Sequence, residues 1–540
     1  MEVFTKNTVL KSNTKYVAEQ SVIDIYLEDT VQSDDRLIMS GCRLAPETCQ
    51  IGFDLQNLSN IEIDFNGAKL VFHGRIVPFV LRNCKNIVLK NFKIDYDRPY
   101  YTQADVIEVS KNEIKMKICD GFDYEIKDGY LYAKSDSWVK NLNQNDCMLW
   151  MLDKTGKKQY NFMLGLFGKE IFPYDNPPAP ILQLQIREED GYQIVSGDFP
   201  EDWETNDGNN ALLITHEFRD KSSIVLLDSE DIKIENFVLI HGAGMGVLGL
   251  HSKNITFNHY DIFRNFDGNG HLVTNNADAI HLFFCGGKIV LENSYMEGML
   301  DDVLNVHNNY LAVKSVDGNR LTTFAKSANY ETVMRLFAAG DKIRIERGNT
   351  LEKVSELVIC SIDVNLLKKE CYLIVEGDTS GIEENDTIEN LTDQPEVIMR
   401  DCKFGNMRGT TRLQSRSHTV VENCIFTNKD LSLLFSGDKT YWYESGPVND
   451  LTIRNCVFEH TGGEPRIYFR KDVEFTEKEP YYHRNITVEN CIFKGKGLIA
   501  HLCHTDNFVF KNNTFEKGSY IIAEQCGTIL SQNDVEIRRI

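Results

Sequence analysis

The chain has 540 residues, of which 42% are hydrophobic and 10% aromatic, as in a folded protein with several domains or one extended repeat body. Its formal net charge of −22 argues against nucleic acid or an anionic membrane surface as a partner, and no apolar run approaches the length of a membrane span. No positively charged start precedes an apolar stretch, so no signal peptide is visible. We expect a cytoplasmic protein, or a periplasmic or secreted one whose leader was trimmed. The sequence leaves open whether the chain forms a homo-oligomer.

A short strand followed by a corner residue, usually asparagine, recurs along the chain. The interval is about 22 residues, as from Asn236 to Asn258 and from Asn490 to Asn512. The strands alternate apolar with polar residues and show almost no helical period. Asparagine suits a corner because it tolerates the left-handed conformation and its amide can bond to the next coil. The pattern predicts an all-β fold, a right-handed parallel β-helix. The predicted strands are Ile87–Leu89, Ile232–Ile234, Ile255–Phe257, Val420–Val421, Leu451–Ile453, Ile486–Val488 and Phe508–Phe510.

Four of the 14 cysteines fall at the same place in the repeat, each two residues before a phenylalanine. They are Cys402, Cys424, Cys456 and Cys491. Their spacings of 22 to 35 residues suit neither a zinc knuckle nor a small disulfide framework. The repeat therefore predicts a buried column of reduced thiols.

Two long intervals interrupt the repeat, one of 145 residues from Asn91 to Asn236 and one of 108 residues from Asn293 to Asp401. Both contain alternating segments, which predict antiparallel, barrel-like β insertions. The predicted division is coils in 1–98, an insertion in 99–221, coils carrying the acids in 222–310, an insertion in 311–394 and coils in 395–540. The second insertion leaves the coil shortly after Asp302, so we expect it to form one wall of a cleft that contains the acidic residues.

Three aspartates form the sharpest feature, Asp278 and the pair Asp301-Asp302 that begins 23 residues later. If that interval is one coil, the carboxylates lie on neighbouring rungs about 4.8 Å apart. Adjacent residues of a strand face opposite ways, so the pair can share a cleft only at a bulge or turn, and Gly298 is compatible with one. A glycosidase needs one acid and one carboxylate, about 6.5–9.5 Å apart in an inverting enzyme. The alternatives are that one aspartate faces inward as a turn or ladder residue, or that all three bind calcium.

The Asn-Ala-Asp phrase ending at Asp278, the Asp-Asp phrase about one coil later and the inserted β regions resemble glycoside hydrolase family 110. This family comprises bacterial exo-acting α-galactosidases that remove terminal α-1,3-linked galactose, including that of blood group B antigens, with inversion. The resemblance implies that Asp301 is the general acid and that Asp278 and Asp302 hold and deprotonate the water. It implies a galactose-terminated glycan as partner, with no redox cofactor and no metal.

Five further residues are candidates for substrate binding. His281 and His307 flank the acids and could bond to sugar hydroxyls, or be structural histidines. Arg412 and Arg416 follow the second insertion and could reach the cleft, or lie on a solvated face of the solenoid. Trp442 lies in an aromatic turn, where its ring could stack on the apolar face of galactose.

Two other function classes compete. Polygalacturonases use a related aspartate trio on a β-helix, together with Gly-His-Gly and Arg-Ile-Lys elements. Here the sequence has Gly270-His271-Leu272 instead, which counts against a polyuronate substrate. A polysaccharide lyase would need basic residues or calcium to neutralise a uronate, and no basic cluster is obvious. A non-enzymatic β-helix that binds carbohydrate has no need to crowd three carboxylates.

Overall fold

The computed structural model describes residues 1–39, 47–142, 147–154, 159–165, 185–197, 199, 208–216, 219, 221–264, 268, 270–327, 330–405, 410–427, 431–437, 439, 442–459, 463–471, 473 and 481–540. Two long sheets, of 20 and 14 strands, run along the molecule and are built almost wholly from parallel pairs. The two strands of a parallel pair come from successive coils, which confirms the parallel β-helix. Within the described residues, no helix is both long and apolar enough to cross a membrane.

The sheet that carries the asparagine corners contains all seven predicted strands. Its members are Glu2–Phe4, Thr14–Ala18, Val22–Tyr26, Ser59–His73, Lys85–Tyr96, Glu230–Leu239, Lys253–Ile262, Gly286–Glu292, Tyr295–Glu297, Glu396–Arg400, Lys403–Gly405, Thr419–Glu422, Ile425–Thr427, Leu451–Arg454, Val457–Glu459, His483–Glu489, Ile492–Lys494, Thr505–Lys511, Thr514–Phe515 and Ile529–Ser531.

The other sheet carries the residues after Asp278 and Asp302. Its members are Val31–Ser33, Cys49–Gln56, Ile76–Arg82, Ile224–Leu227, Val247–Leu250, Ile280–Phe283, Leu304–Asn309, Thr411–Leu413, Leu433–Gly437, Glu444–Ser445, Ile467–Lys471, Leu498–Cys503, Tyr520–Glu524 and Glu536–Arg539. Glu444–Ser445 pairs antiparallel with Asn308–Asn309 and lies off the main stack. Short 3₁₀ helices span Leu27–Asp29 and Arg36–Met39.

Both interruptions of the repeat are antiparallel β structures. The first contains a seven-stranded sheet and a three-stranded sheet. Their strands are Tyr101–Val109, Glu113–Ile118, Met148–Asp153, Gln159–Gly165, Gln185–Glu189, Tyr192–Ser196 and Asn210–Thr215, and Tyr124–Lys127, Tyr130–Lys134 and Val139–Asn141. The second is a closed barrel with one helix, Tyr330–Arg335. Its strands are Leu311–Asp317, Arg320–Phe324, Lys342–Glu346, Lys353–Asn365, Glu370–Glu376 and Thr387–Asn390.

The predicted corners and the thiol column are confirmed. Asn423 and Asn455 have φ of 55°, and the Asn455 amide donates to Asn423 Oδ1 at 3.2 Å. The four cysteines of the column are buried free thiols. Beside them the rings of Phe426 and Phe458 stack with centroids 5.0 Å apart. Identical apolar side chains thus superpose from coil to coil, which makes one continuous core along the solenoid.

Candidate active site

The three aspartates converge at one end of two neighbouring strands. Asp278 precedes the strand Ile280–Phe283, and Asp301 and Asp302 precede the strand Leu304–Asn309. One carboxylate oxygen of each lies within 4.8 Å of one from both others. The side chains of Asp278 and Asp302 are 3% and 8% exposed, whereas that of Asp301 is 21% exposed. Two carboxylates are therefore buried and one meets solvent.

An irregular turn allows the adjacent aspartates to share the site. Gly298 has φ of 79°, a left-handed conformation that favours glycine, and Met299 forms only an isolated bridge, to Asn275. Residues 300 and 301 then bend before the strand begins at Leu304. Because the chain is not extended there, the rule that neighbours face opposite ways does not apply. The break predicted at Gly298 is confirmed.

Asn275 fixes the turn on the preceding coil. Its buried amide donates to the carbonyl oxygens of Ala277 at 3.0 Å and Asp278 at 2.7 Å. The carbonyl oxygen of Asp278 also accepts from the N–H of Gly246 at 2.9 Å, so the turn that holds Asp278 is bonded both within its own coil and to the coil before it.

A chain of hydrogen bonds links Asp278 to two histidines. His281 Nδ1 lies 2.5 Å from Asp278 Oδ2, and His281 Nε2 lies 3.0 Å from His307 Nε2. His307 Nδ1 faces the carbonyl oxygen of Asn308 at 2.9 Å and must be its donor. Burial, followed by the charge of His281, lowers the pKa of His307 well below its usual value, so His307 is neutral and its Nε2 accepts. His281 must then donate through Nε2, and it is a cation when it also donates to Asp278.

This arrangement keeps Asp278 ionised although it is buried. Burial acts to raise the pKa of Asp278, but the charge and hydrogen bond of His281, with the charges of Arg219 and Arg412, hold it below its usual value. Asp278 is therefore a carboxylate at neutral pH and can accept a proton.

Cations and donors also face the other two aspartates. Arg219 Nη2 bonds to Asp301 Oδ2. Arg412 Nε lies 2.9 Å from Asp302 Oδ2, and the backbone N–H of Thr410 donates to Asp302 Oδ1 at 2.8 Å. Two arginines therefore offset part of the negative charge of the three aspartates.

The aspartates lie in a concave pocket with an empty volume of about 550 Å³, open mouth included. It is lined by Arg219, Met245, Asp278, His281, Phe283, Asp301, Asp302, Asn305, His307, Asn309, Ser327, Arg412, Trp442 and Glu444. Arg219 comes from the end of the first insertion and Ser327 from the second. The prediction that an insertion stands beside the acids is confirmed, because both contribute to the wall.

The structure brings seven of the eight predicted site residues together and separates Arg416 from them. Arg416 does not line the pocket. Its Nε donates to both carboxylate oxygens of Glu389 at 3.0 Å, and its Nη2 donates to Glu346 at 3.0 Å. The prediction that Arg416 binds substrate is corrected on this ground: two buried barrel carboxylates occupy its donors, so it ties the barrel to the coil.

Sequence reasoning missed several lining residues. No sequence motif surrounds Arg219, and Asn305, Asn309 and Ser327 are ordinary strand or loop residues. Glu444 stands two residues after Trp442 in the aromatic turn, and its charge could have marked it as a candidate. It reaches Arg412 Nη1 at 3.5 Å and lies 3.7 Å from His307 Nε2. Only the pairing of its strand with Asn308–Asn309 reveals its place in the pocket.

No family model matches the chain, but curated proteins do. An α-1,3-galactosidase A of Shewanella woodyi is 28% identical over 418 residues, which are 76% of this chain and 65% of that protein. An α-1,3-galactosidase B of Bacteroides thetaiotaomicron is 27% identical over 528 residues, 89% of this chain and 79% of that protein. The chain is a relative of the α-1,3-galactosidases. The resemblance to glycoside hydrolase family 110 is confirmed.

Solved structures also match the chain, at low sequence identity and low TM-scores. The match to a polygalacturonase from Erwinia carotovora covers 97% of this chain and 89% of the polygalacturonase chain, with 9% sequence identity and a TM-score of 0.38. An exopolygalacturonase from Yersinia enterocolitica matches with 11% identity and a TM-score of 0.35. The similarity to the α-1,3-galactosidases is a similarity of sequence.

Proposed function

We propose that this chain is an exo-acting glycoside hydrolase that releases terminal α-1,3-linked galactose with inversion of configuration. One observation carries the proposal: three aspartates converge in a single pocket of a chain whose relatives are named α-1,3-galactosidases.

Asp278 and Asp302 act together as the base. A water that donates two hydrogen bonds of about 2.8 Å at a tetrahedral angle joins acceptors about 4.6 Å apart. Carboxylate oxygens within 4.8 Å of each other suit such a bridge. The lowered pKa of Asp278 keeps it ready to accept a proton from this water. His281 then holds Asp278 in place rather than contacting the sugar.

Asp301 acts as the general acid. It is the most exposed of the three side chains, so it is best placed to meet the oxygen that leaves with the rest of the glycan. Repulsion among three carboxylates this close favours a state in which one keeps a proton. The contact from Arg219 favours the ionised form instead. In this mechanism Arg219 must turn from Asp301 towards the bound glycan.

Trp442 supplies a ring in the pocket wall, against which the apolar face of galactose would pack. Its carbonyl oxygen accepts from the Asn309 amide at 2.6 Å, so its backbone is fixed to the strand after Asp302. Arg219 and Ser327 close the pocket from the two insertions. A pocket with such walls fits the end of a glycan rather than its middle, which supports exo action.

The product anomer tests the stereochemistry. The aspartates are more compact than the separation of about 6.5–9.5 Å that is usual in inverting enzymes, since their oxygens lie within 4.8 Å. Hydrolysis of a terminal α-1,3-galactosyl disaccharide, followed by NMR, should show β-galactose first. Appearance of α-galactose first would overturn inversion. Cleavage of polygalacturonate in a parallel assay, with no action on the disaccharide, would overturn the substrate assignment.

A further inference from the structure

A second cluster of metal-ligating side chains lies near the C-terminal end of the solenoid. His501 and Cys503 lie on the strand Leu498–Cys503, and Glu524 lies on the next coil, where it pairs with Cys503. The intervening Leu502 packs in the core, so His501 and Cys503 both face outward. The three side chains thus meet on the outer surface of the sheet.

The distances within this cluster match those around a tetrahedral metal. His501 Nε2 lies 3.6 Å from Cys503 Sγ and 3.5 Å from Glu524 Oε2. Cys503 Sγ lies 3.1 Å from Glu524 Oε2. Zinc bonds of about 2.3 Å to sulfur and about 2.0–2.2 Å to nitrogen and oxygen place tetrahedral ligand atoms about 3.3–3.6 Å apart. Only the sulfur–oxygen pair would have to open, by a few tenths of an ångström.

The surroundings hold the ligands while leaving them accessible. The ring of Tyr468 stacks on His501 with centroids 4.7 Å apart and an interplanar angle of 8°, which fixes the imidazole. Cys503 is 4% exposed, while the side chains of His501 and Glu524 are 19% and 35% exposed. An ion can therefore enter from solvent, and water can fill a fourth position.

We propose that His501, Cys503 and Glu524 bind one zinc ion. A thiolate with an imidazole and a single carboxylate favours zinc over calcium or magnesium, which take oxygen ligands. On binding, the thiol proton, which Cys503 otherwise donates to Glu524, passes to solvent and a sulfur–zinc bond replaces it. The ion joins two successive coils close to the end of the stack and stabilises them.

This site is separate from the pocket of the aspartates. His281 pairs with Asn305, and the column continues through Arg412, Leu434 and Tyr468 to His501, five coil steps in all. At about 4.8 Å a step, His501 lies about 24 Å from His281 and about 14 Å from Arg412, the pocket residue nearest to it in this column. Zinc binding is therefore a property of the C-terminal coils.

Titration calorimetry with zinc, on the whole chain freed of metal with a chelator, tests the proposal. One equivalent should bind. Cys503→Ser and Glu524→Gln should each weaken zinc binding at least about 100-fold, because the loss of a direct ligand should cost at least as much as the loss of an outer-shell partner, which reaches about 100-fold. Cobalt should give a sulfur-to-metal charge-transfer band that Cys503→Ser removes. Zinc should raise the melting temperature of the wild type but not of Cys503→Ser.

Two control variants locate the ion. Cys360→Ser removes an exposed barrel thiol, and Asp301→Asn alters the acid cluster, so both should bind zinc as the wild type does. Loss of binding in either control would overturn the assignment, as would full affinity in Cys503→Ser or no binding by the wild type. Equal melting temperatures of wild type and Cys503→Ser in chelator would show that the variant folds. If it does not fold, Glu524→Gln carries the same test.

Discussion

Asp302 occupies on its coil the place that Asp278 occupies on the coil before. Ile280 pairs with Leu304, and the N–H of Ala279 donates to the Asp302 carbonyl oxygen at 2.8 Å. The two buried carboxylates therefore stack, and Asp301 is the additional acid that the turn after Gly298 brings in. This difference in position supports the proposed roles, in which the stacked pair holds the water and Asp301 protonates the leaving oxygen.

The first prediction separates these roles. Asp301→Asn should lower turnover of a natural α-galactoside by about 10²–10⁴-fold, because the acid that protonates the leaving oxygen is lost. An aryl galactoside with a good leaving group needs little protonation and should recover much of the rate. Asp278→Asn and Asp302→Asn should show no such recovery, since their defect lies in activating water.

Azide gives an independent measurement of the same roles. A small nucleophile can replace the activated water, so added azide should accelerate Asp278→Asn and Asp302→Asn and yield a galactosyl azide. If azide accelerates only Asp301→Asn, the acid and base roles are reversed. Near-normal turnover in all three variants would make the trio structural.

The second prediction concerns His281. Its charge and hydrogen bond help to hold the pKa of Asp278 below its usual value against the effect of burial. His281→Ala should raise the pKa of Asp278, so the carboxylate form is lost at a higher pH. The low-pH limb of the kcat/KM profile should move to higher pH. His418→Ala, which removes an exposed histidine paired with Asp450, should leave the limb in place. An unmoved limb in His281→Ala would show that this pair does not set the profile.

The third prediction concerns the ion cluster of Arg416. Burial, together with the charge of Glu389, raises the pKa of Glu346 to about 7 even with Arg416 present. Arg416→Ala should cost about 3–5 kcal/mol of unfolding free energy, because the buried Glu389 loses its ion pair and the buried Glu346 is left with Arg344. Arg400→Ala breaks an exposed pair with Glu292 and should cost only about 0–1 kcal/mol. Denaturant unfolding compares them, and equal losses would contradict the structural role.

The fourth prediction concerns the asparagine corners. Asn423 has φ of 55° and its amide donates to Asp401 Oδ1 at 2.9 Å. Asn423→Gly loses this bond but accepts the backbone conformation, whereas Asn423→Ala also adds a left-handed penalty of about 1–2 kcal/mol. The melting temperatures should fall in the order wild type, glycine variant, alanine variant. An alanine variant at least as stable as the glycine variant would refute the backbone argument.

The sequence determined the solenoid because each coil repeats the same local pattern of residues. An alternating strand, a corner asparagine such as Asn455 and an inward residue such as Cys456 recur with each coil, and identical groups stabilise one another only when stacked. The aspartates could be selected for a similar reason, since three acids at an interval of about one coil must meet if the coils stack. The resemblance to family 110 assigned them roles that spacing alone left open.

Only the tertiary structure decided which other side chains complete the pocket. Arg219 and Ser327 arrive from insertions whose paths depend on long-range packing, and Glu444 arrives on a two-residue strand placed by its antiparallel partner. Arg412 and Arg416 look alike in sequence, yet one faces Asp302 and the other is bound by Glu346 and Glu389 of the barrel. A local pattern fixes which side of a strand a residue faces. Contacts between residues that are far apart in the chain determine which element covers that side. They therefore also determine which charges a side chain meets there.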